Sequence, residues 1–173
     1  SFYDKDGESF ADINLDNFTF NCRVAGVENE GEAVILLHGF PETSRMWYQL
    51  IPILANDGFK VIAPDQRGYS QGARPSKISD YTIDKLSKDI IDIADAFKLE
   101  KFHLIGHDWG SAVGWDLVSI NADRVISWTA LSVPHLDAFF ESINTDKEQQ
   151  RKSQYMSFFK KPILPELYFK IFD

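Results

Sequence analysis

Short apolar runs recur along the chain and are separated by polar or amphipathic stretches. The runs lie at residues 33–37, 59–63, 101–105 and 125–131. The first two are predominantly apolar runs of the kind found in strands buried on both faces of a parallel sheet, and the other two predict further strands. Residues 11–25 instead alternate apolar and polar positions on either side of Asp16-Asn17, which predicts a β-hairpin.

Helical periodicity is clearest between the second and third buried runs. Apolar residues there fall at alternating steps of three and four, at Ile83, Leu86, Ile90, Ile93 and Phe97. Thr82 is a suitable N-cap for this helix. A further helix, capped by Thr43 or Ser44, is expected to run to about residue 56. Strands that alternate with helices predict an α/β fold with a largely parallel sheet.

The repeating pattern ends at Pro134, after which the chain becomes helical, aromatic and charged. We therefore expect an α/β core over residues 1–133 and a second, helical region over residues 134–173. Residues from Glu166 onward read as a helix that breaks off in mid-course.

The turn Gly106-His107-Asp108-Trp109-Gly110 lies between a buried strand and an apolar helix. A tight strand-turn-helix with glycines at both ends has the form of a nucleophile elbow, which lifts its middle residue above the sheet. That residue is commonly serine, whereas here it is Asp108. A carboxylate, with a reference pKa of about 3.9, is already an anion at neutral pH. Its attack on saturated carbon gives an ordinary ester, so Asp108 indicates an epoxide or an alkyl halide as substrate.

Three motifs follow strand ends, where open α/β sheets bind ligands. They are His38-Gly39-Phe40-Pro41, Asp65-Gln66-Arg67-Gly68-Tyr69 and the elbow. With them the chain resembles the α/β-hydrolase superfamily, in particular the aspartate-nucleophile branch of epoxide hydrolases and haloalkane dehalogenases. The resemblance implies the N-terminal portion of an α/β-hydrolase fold, followed by the start of a helical cap domain, in a truncated chain.

The resemblance also implies roles for individual residues. The backbone N–H groups of Phe40 and Trp109 would form the oxyanion hole, and their side chains would line the substrate pocket. Tyr155, in a segment similar to the first cap helix of epoxide hydrolases, would donate a proton to the epoxide oxygen. Tyr168 is a weaker rival, and packing of a helix face also accounts for Tyr155.

Substrate class is narrowed by the residues beside the nucleophile. Phe40 stands where haloalkane dehalogenases commonly place a halide-binding side chain such as asparagine, although the Trp109 indole N–H is shared by both groups. Haloacetate dehalogenases carry arginines where this chain has Trp109 and Ala112, so an anionic substrate is not expected. An epoxide hydrolase is the preferred interpretation. The alternatives are a haloalkane dehalogenase and a non-catalytic binding protein of the same fold.

Other polar residues in the motifs are expected to have structural roles. His38 and His107 are expected to hydrogen-bond the loops, and Asp65 and Arg67 to form an ion pair or loop hydrogen bonds. His135 comes too early to be the family's water-activating histidine. We therefore expect the 173 residues to lack the catalytic histidine and its acid partner, and to undergo alkylation without turnover.

The bulk composition limits the partners. A net charge of −8 argues against nucleic acid and anionic membranes. Cys22 is the single cysteine, which favours a reducing compartment, and no run reaches transmembrane length. We expect a cytoplasmic protein acting on a small apolar electrophile, with no cofactor and no metal site. The sequence does not indicate the oligomeric state.

Overall fold

The structure is a computed structural model that describes residues 1–159, 161 and 164–172. The chain divides into two compact units, Ser1–Val133 and Pro134–Asp173. The first unit contains the sheet and all three motifs that follow strand ends. The second is helical.

Within the described residues, seven strands form one mixed sheet in the order β1-β2-β3-β5-β4-β6-β7. Their bounds are β1 Phe2–Lys5, β2 Glu8–Leu15, β3 Phe18–Ala25, β4 Ala33–Leu37, β5 Lys60–Pro64, β6 Phe102–His107 and β7 Val125–Leu131. Strands β1 to β3 are antiparallel, as the pattern around Asp16-Asn17 predicts for β2 and β3, and β3 pairs antiparallel with β5. Strands β5, β4, β6 and β7 run parallel. Their carboxyl ends therefore meet at one edge of the sheet.

Strand β4 explains why the central runs are apolar throughout. Val34 and Leu36 belong to a core cluster on one face of the sheet, whereas Ile35 and Leu37 belong to the larger cluster on the other. All of β4 is buried. Because both faces of such a strand are buried, its residues are apolar throughout and do not alternate between apolar and polar.

Three α-helices connect the parallel strands. They are α1 Leu50–Asn56, α2 Ile83–Ala96 and α3 Trp109–Ile120. Helix α2 buries Ile90 and Ile93 on the stripe predicted from the sequence. Thr82 stands at its N-cap position, although its hydroxyl makes no capping bond to the helix backbone.

The expected helix from Thr43 to residue 56 is divided in two. A 3-10 helix covers Ser44–Trp47, with the Thr43 hydroxyl accepting from the Arg45 N–H, and α1 begins only at Leu50. Pro52 accounts for the division, because its ring excludes a carbonyl partner one turn earlier and is tolerated only in a first turn. The expectation of one continuous helix was wrong.

The described part of the second unit consists of helices α4 Leu136–Thr145, α5 Lys147–Lys152, α6 Gln154–Phe159 and α7 Leu164–Phe172. Asp146 caps α5 by accepting from the N–H groups of Glu148 and Gln149. The expected helix over residues 166–173 begins earlier, at Leu164, and Asp173 lies outside the described residues. Among the described residues, no helix combines the length and apolar character required to cross a bilayer.

Candidate active site

The turn after β6 has the backbone of a nucleophile elbow. Asp108 adopts φ 52° and ψ −120°, a backbone conformation with positive φ that residues other than glycine rarely adopt. A Cβ on Gly106 would lie 2.5 Å from the Gly110 carbonyl oxygen, and one on Gly110 would lie 2.6 Å from the His38 carbonyl oxygen. Both glycines are required because the strand and the helix approach more closely than a Cβ permits.

Hydrogen bonds to the end of β7 hold the elbow in place. The Asp108 N–H donates to the Leu131 carbonyl at 3.2 Å. The fully buried Ser111 hydroxyl donates to the Gly106 and Leu131 carbonyls at 2.6 and 2.9 Å, and accepts from the Leu131 N–H at 3.2 Å. Ser111 was missed by the sequence analysis, since a serine among small residues gives no sign of such contacts.

One oxygen of the Asp108 carboxylate is held by the loop after β4. The Phe40 N–H donates to Asp108 Oδ1 at 2.9 Å. Gly39 allows this approach, because a Cβ there would lie 2.6 Å from the same oxygen. Trp109 follows directly as the first residue of α3, so its N–H is among the amides that a helix start leaves without an intrahelical partner. The side chains of Phe40 and Trp109 are 45% and 58% exposed.

The loop after β4 turns sharply at Pro41. The Phe40–Pro41 peptide bond is cis, and the Glu42 N–H donates to the Gly39 carbonyl at 3.0 Å. A turn with cis-proline at its third position is a type VI turn. It presents the Phe40 N–H toward Asp108.

His38 is buried beneath this turn and bonds through both ring nitrogens. Nδ1 lies 3.0 Å from the Gly39 carbonyl oxygen, and Nε2 accepts from the Gln66 N–H at 3.0 Å. Burial lowers the pKa of His38 below its usual 6.5. His38 is thus a neutral residue that hydrogen-bonds the loops, as the sequence analysis expected.

His107 was also expected to hydrogen-bond the loops, but within the described part of the chain one of its ring nitrogens does not. Its Nδ1 is buried and has no hydrogen-bond partner among the described residues. His107 is half-buried and directly precedes Asp108 in the chain.

The loop after β5 is held by its polar residues, though not through the ion pair considered from the sequence. The Asp65 carboxylate accepts from the Ser44 N–H at 2.7 Å. Arg67 forms a two-pronged pair with Asp89 of α2, at 2.7 and 2.6 Å, and lies over the Phe18 ring. The hydrogen bonds that Arg67 donates to the Asp89 carboxylate raise the pKa of Arg67. Asp65 therefore makes loop hydrogen bonds, and the partner of Arg67 is Asp89.

Tyr69 belongs to the same loop and lies close to Asp108. Its ring meets the His38 ring edge-on, with centroids 4.5 Å apart. Burial, and secondarily the negative charge of Asp108, raise the pKa of Tyr69. The sequence analysis named Tyr69 only as the last residue of the motif that follows β5. Its position beside the site follows from the parallel register of β4 and β5.

Tyr155, Tyr168 and His135 belong to the second unit. Tyr155 is on α6 and is 59% exposed, with its ring edge-on to Phe159. Tyr168 is on α7, where its ring contacts Phe158. His135 is the N-cap of α4, and its Nδ1 accepts from the Asp137 N–H at 3.3 Å. Helix capping gives His135 a local structural role.

A cleft lies at the edge of the sheet opposite Asp108. It has a volume of about 740 Å³ and is lined by residues at the amino ends of the parallel strands, including Glu32, Lys60, Lys101 and Asp123. Ligands of open α/β sheets bind at the opposite edge. No group of three or more potential metal ligands occurs within the residues that the structure describes.

Comparison with known proteins shows the family. Residues 32–169 match the family model of the α/β hydrolase fold. The chain belongs to the α/β hydrolase fold family. The resemblance inferred from the three motifs is thereby confirmed, as is the α/β-hydrolase fold.

Individual relatives include proteins named as epoxide hydrolases. The chain is 38% identical over 161 residues to the AB hydrolase superfamily protein YfhM of Bacillus subtilis, covering 93% of this chain and 56% of that protein. It is 47% identical over 103 residues to epoxide hydrolase A of Mycobacterium tuberculosis, covering 60% of this chain and 32% of that protein.

A solved structure of an epoxide hydrolase from metagenomes of hot environments superposes with a TM-score of 0.84 at 33% identity. The superposed region covers 93% of this chain and 54% of the chain in that structure. The chain thus spans between about a third and somewhat over half of the length of these relatives.

Proposed function

We propose that this α/β hydrolase chain carries the nucleophile of an epoxide hydrolase, with Asp108 attacking a ring carbon of the substrate. The observation that carries the proposal is the hydrogen bond from the Phe40 N–H to Asp108 Oδ1, at a residue that the elbow lifts above the sheet. One oxygen is restrained and the other is available as the nucleophile. The names of the relatives support the substrate class.

The first step forms an ester. Oδ2 of Asp108 bonds to an epoxide carbon while that carbon's bond to the ring oxygen breaks, and the electron pair moves to the oxygen. The phenol of Tyr155 gives its proton to this developing alkoxide, which needs an acid because alkoxide is a poor leaving group at neutral pH. We assign this proton to Tyr155 because it lies in the segment similar to the first cap helix of epoxide hydrolases. We likewise infer that residues 134–173 are the beginning of a cap domain.

The second step cleaves the ester. After alkylation Oδ1 is the ester carbonyl oxygen, and the attack of water on the ester carbon places negative charge on it. The Phe40 N–H is aimed at that atom, and the Trp109 N–H at the start of α3 is the second donor of the proposed oxyanion hole. Water activation requires a histidine and an acid that we do not find in the 173 residues. We therefore propose that this chain alone forms the ester without turning over.

The test uses an aryl epoxide and a matched bromoalkane, each incubated with the 173-residue chain. Intact mass and peptide mapping measure the adduct on Asp108. The epoxide is expected to add its whole mass to Asp108, and Asp108→Asn is expected to abolish labelling. Asp123→Asn, an exposed aspartate at the opposite edge of the sheet, is the matched control and is expected to label normally.

The longest natural form of the chain is assayed in parallel for diol and bromide. Diol without bromide, lost in Asp108→Asn, supports an epoxide hydrolase. Bromide without diol would replace the proposal with a haloalkane dehalogenase that uses the Trp109 indole N–H. Neither product from the folded protein would leave the binding protein as the better interpretation.

The partners and location are also inferences. The exposed aromatic side chains of Phe40 and Trp109 support a small apolar substrate. The net charge of −8 speaks against nucleic acid and anionic membranes as partners. Cys22, the single cysteine, is fully buried as a free thiol, and a reducing compartment such as the cytoplasm suits it.

A further inference from the structure

The peptide unit between Gly39 and Phe40 is held at both of its polar ends. Its N–H donates to Asp108 Oδ1 at 2.9 Å. Its carbonyl oxygen lies 3.0 Å from His38 Nδ1 and accepts from the Glu42 N–H at 3.0 Å. The C=O and N–H of a trans peptide point in opposite directions within one plane. Anchoring the oxygen therefore sets the direction of the N–H that meets the nucleophile.

Gln66 determines which nitrogen of His38 carries the proton. The Gln66 N–H donates to Nε2 at 3.0 Å, so Nε2 must be unprotonated. The proton of the neutral ring is then on Nδ1, where it is donated to the Gly39 carbonyl. The Gln66 side chain also donates to the His38 carbonyl, so the loops after β4 and β5 bind each other reciprocally.

We propose that His38 is a positioning residue whose Nδ1–H tautomer, selected by Gln66, aims the Phe40 N–H at Asp108. The inference rests on the proposed function for its chemistry and extends it by a residue that does not touch the substrate. It also makes a claim about the resting protein, which can be tested without any substrate.

Protonation of His38 would undo this arrangement. A proton on Nε2 would face the Gln66 N–H, which leaves two donors opposed and no acceptor between them. The Asp65 and Glu42 carboxylates favour the charged ring, and the Tyr69 ring lies against it, but burial outweighs the carboxylates and lowers the pKa of His38. The tautomer is therefore expected to persist through neutral pH and to be lost in mild acid.

Positioning by His38 should matter most in the second step of the reaction. During alkylation negative charge leaves the Asp108 carboxylate, so a donor on Oδ1 gives little assistance to that step. During ester hydrolysis negative charge returns to Oδ1, and an aimed donor stabilises it. Loss of one whole oxyanion donor costs roughly 100- to 1,000-fold in rate. We expect misdirection of the Phe40 N–H to slow ester hydrolysis by roughly 10- to 100-fold and ester formation much less.

The first experiment uses NMR of the uniformly ¹⁵N-labelled 173-residue chain. Long-range ¹H–¹⁵N correlations of His38 are expected to show a protonated Nδ1 and an unprotonated Nε2. Titration into acid is expected to shift the Phe40 amide signal together with the His38 ring. His38→Asn keeps a donor near the position of Nδ1 and should preserve the Phe40 signal better than His38→Ala. An Nε2–H tautomer, or a Phe40 signal indifferent to His38, would overturn the proposal.

The second experiment measures both steps in the longest natural form of the chain by rapid quench and intact mass. His38→Ala is expected to accumulate the Asp108 ester, and His38→Asn is expected to restore part of the hydrolysis rate. His103→Asn is the matched control, because His103 also bonds through both nitrogens, to Ser127 and Glu32, outside the site. Equal slowing of both steps in His38→Ala would indicate a merely structural role. Absence of any ester in the wild type would refute the proposed function, while the NMR result would still decide the role of His38.

Discussion

Replacing Ser111 by alanine should weaken the nucleophile elbow by an amount that the hydrogen bonds allow us to work out. The hydroxyl has one hydrogen, shared between the Gly106 and Leu131 carbonyls at 2.6 and 2.9 Å, and its loss costs about 1 kcal/mol. The Leu131 N–H loses its acceptor, which costs about 1–2 kcal/mol more. The higher helix propensity of alanine returns about 0.5 kcal/mol. The expected net loss is about 2 kcal/mol.

Ser119→Ala is the matched control for this measurement. Ser119 is on the same helix, is exposed, and donates only to the Asp116 carbonyl of its own helix. It gains the same helix propensity without loss of a buried contact, so its stability should change by less than about 0.5 kcal/mol. The difference between the two variants isolates the contribution of the buried hydroxyl of Ser111.

Urea unfolding followed by tryptophan fluorescence measures both variants, since Trp115 and Trp128 pack edge-on in the first unit. With a urea m-value of about 2 kcal/mol/M, Ser111→Ala should lower the midpoint by about 1 M. Labelling of Asp108 by an epoxide should also slow, because the Leu131 carbonyl that Ser111 holds also accepts the Asp108 N–H. If Ser111→Ala and Ser119→Ala unfold at the same urea concentration, the assignment of the elbow's stability to this hydroxyl is wrong.

Three further outcomes are expected from other parts of the first unit. Arg67→Met should lower the free energy of unfolding by about 3–5 kcal/mol, because it leaves the buried carboxylate of Asp89 without its partner. Lys88→Met removes an exposed ion pair and should cost less than about 1 kcal/mol in the same urea titration. Burial lowers the pKa of His38, so below pH 6.5 the unfolded chain binds a proton that the folded chain resists, and stability should fall as the pH drops from 6.5 toward the folded pKa. The slope should be smaller in His38→Asn, and identical slopes in both proteins would contradict the assignment. Burial also raises the pKa of the Cys22 thiol, so Ellman's reagent should fail to react with it in the native protein and react promptly in urea; rapid reaction without denaturant would refute its burial.

The elements that could be predicted from the sequence are those whose signals are local. Strands β4 and β7 begin and end at the predicted residues, because each is a segment rich in apolar and β-branched residues between polar or turn residues. Helix α2 follows from its apolar stripe. The division between the 3-10 helix and α1 also has a local signal, Pro52, which the prediction of one helix from Thr43 did not take into account.

Contacts between distant segments could not be predicted in the same way. Arg67 and Asp65 are neighbours in one motif, yet Arg67 pairs with Asp89, which α2 brings alongside it. Ser111 reaches β7 only because the elbow folds helix α3 back over the strand ends. Tyr69 meets His38 because β4 and β5 are adjacent and parallel, which no periodicity of either strand reveals.

Two glycines indicate close approaches at the site that the hydropathy pattern does not reveal. Gly39 and Gly110 mark places where the loop after β4 and the elbow approach more closely than a Cβ permits. A Cβ on Gly39 would meet the Asp108 side chain, and one on Gly110 would meet the His38 carbonyl. That closeness brings the Phe40 N–H to Asp108 Oδ1 without any catalytic side chain from the loop. Asp108 is therefore held by main-chain contacts, and on our proposal side chains such as His38 and Ser111 orient those contacts. A substitution at either residue should alter the chemistry of Asp108 while leaving its carboxylate in place.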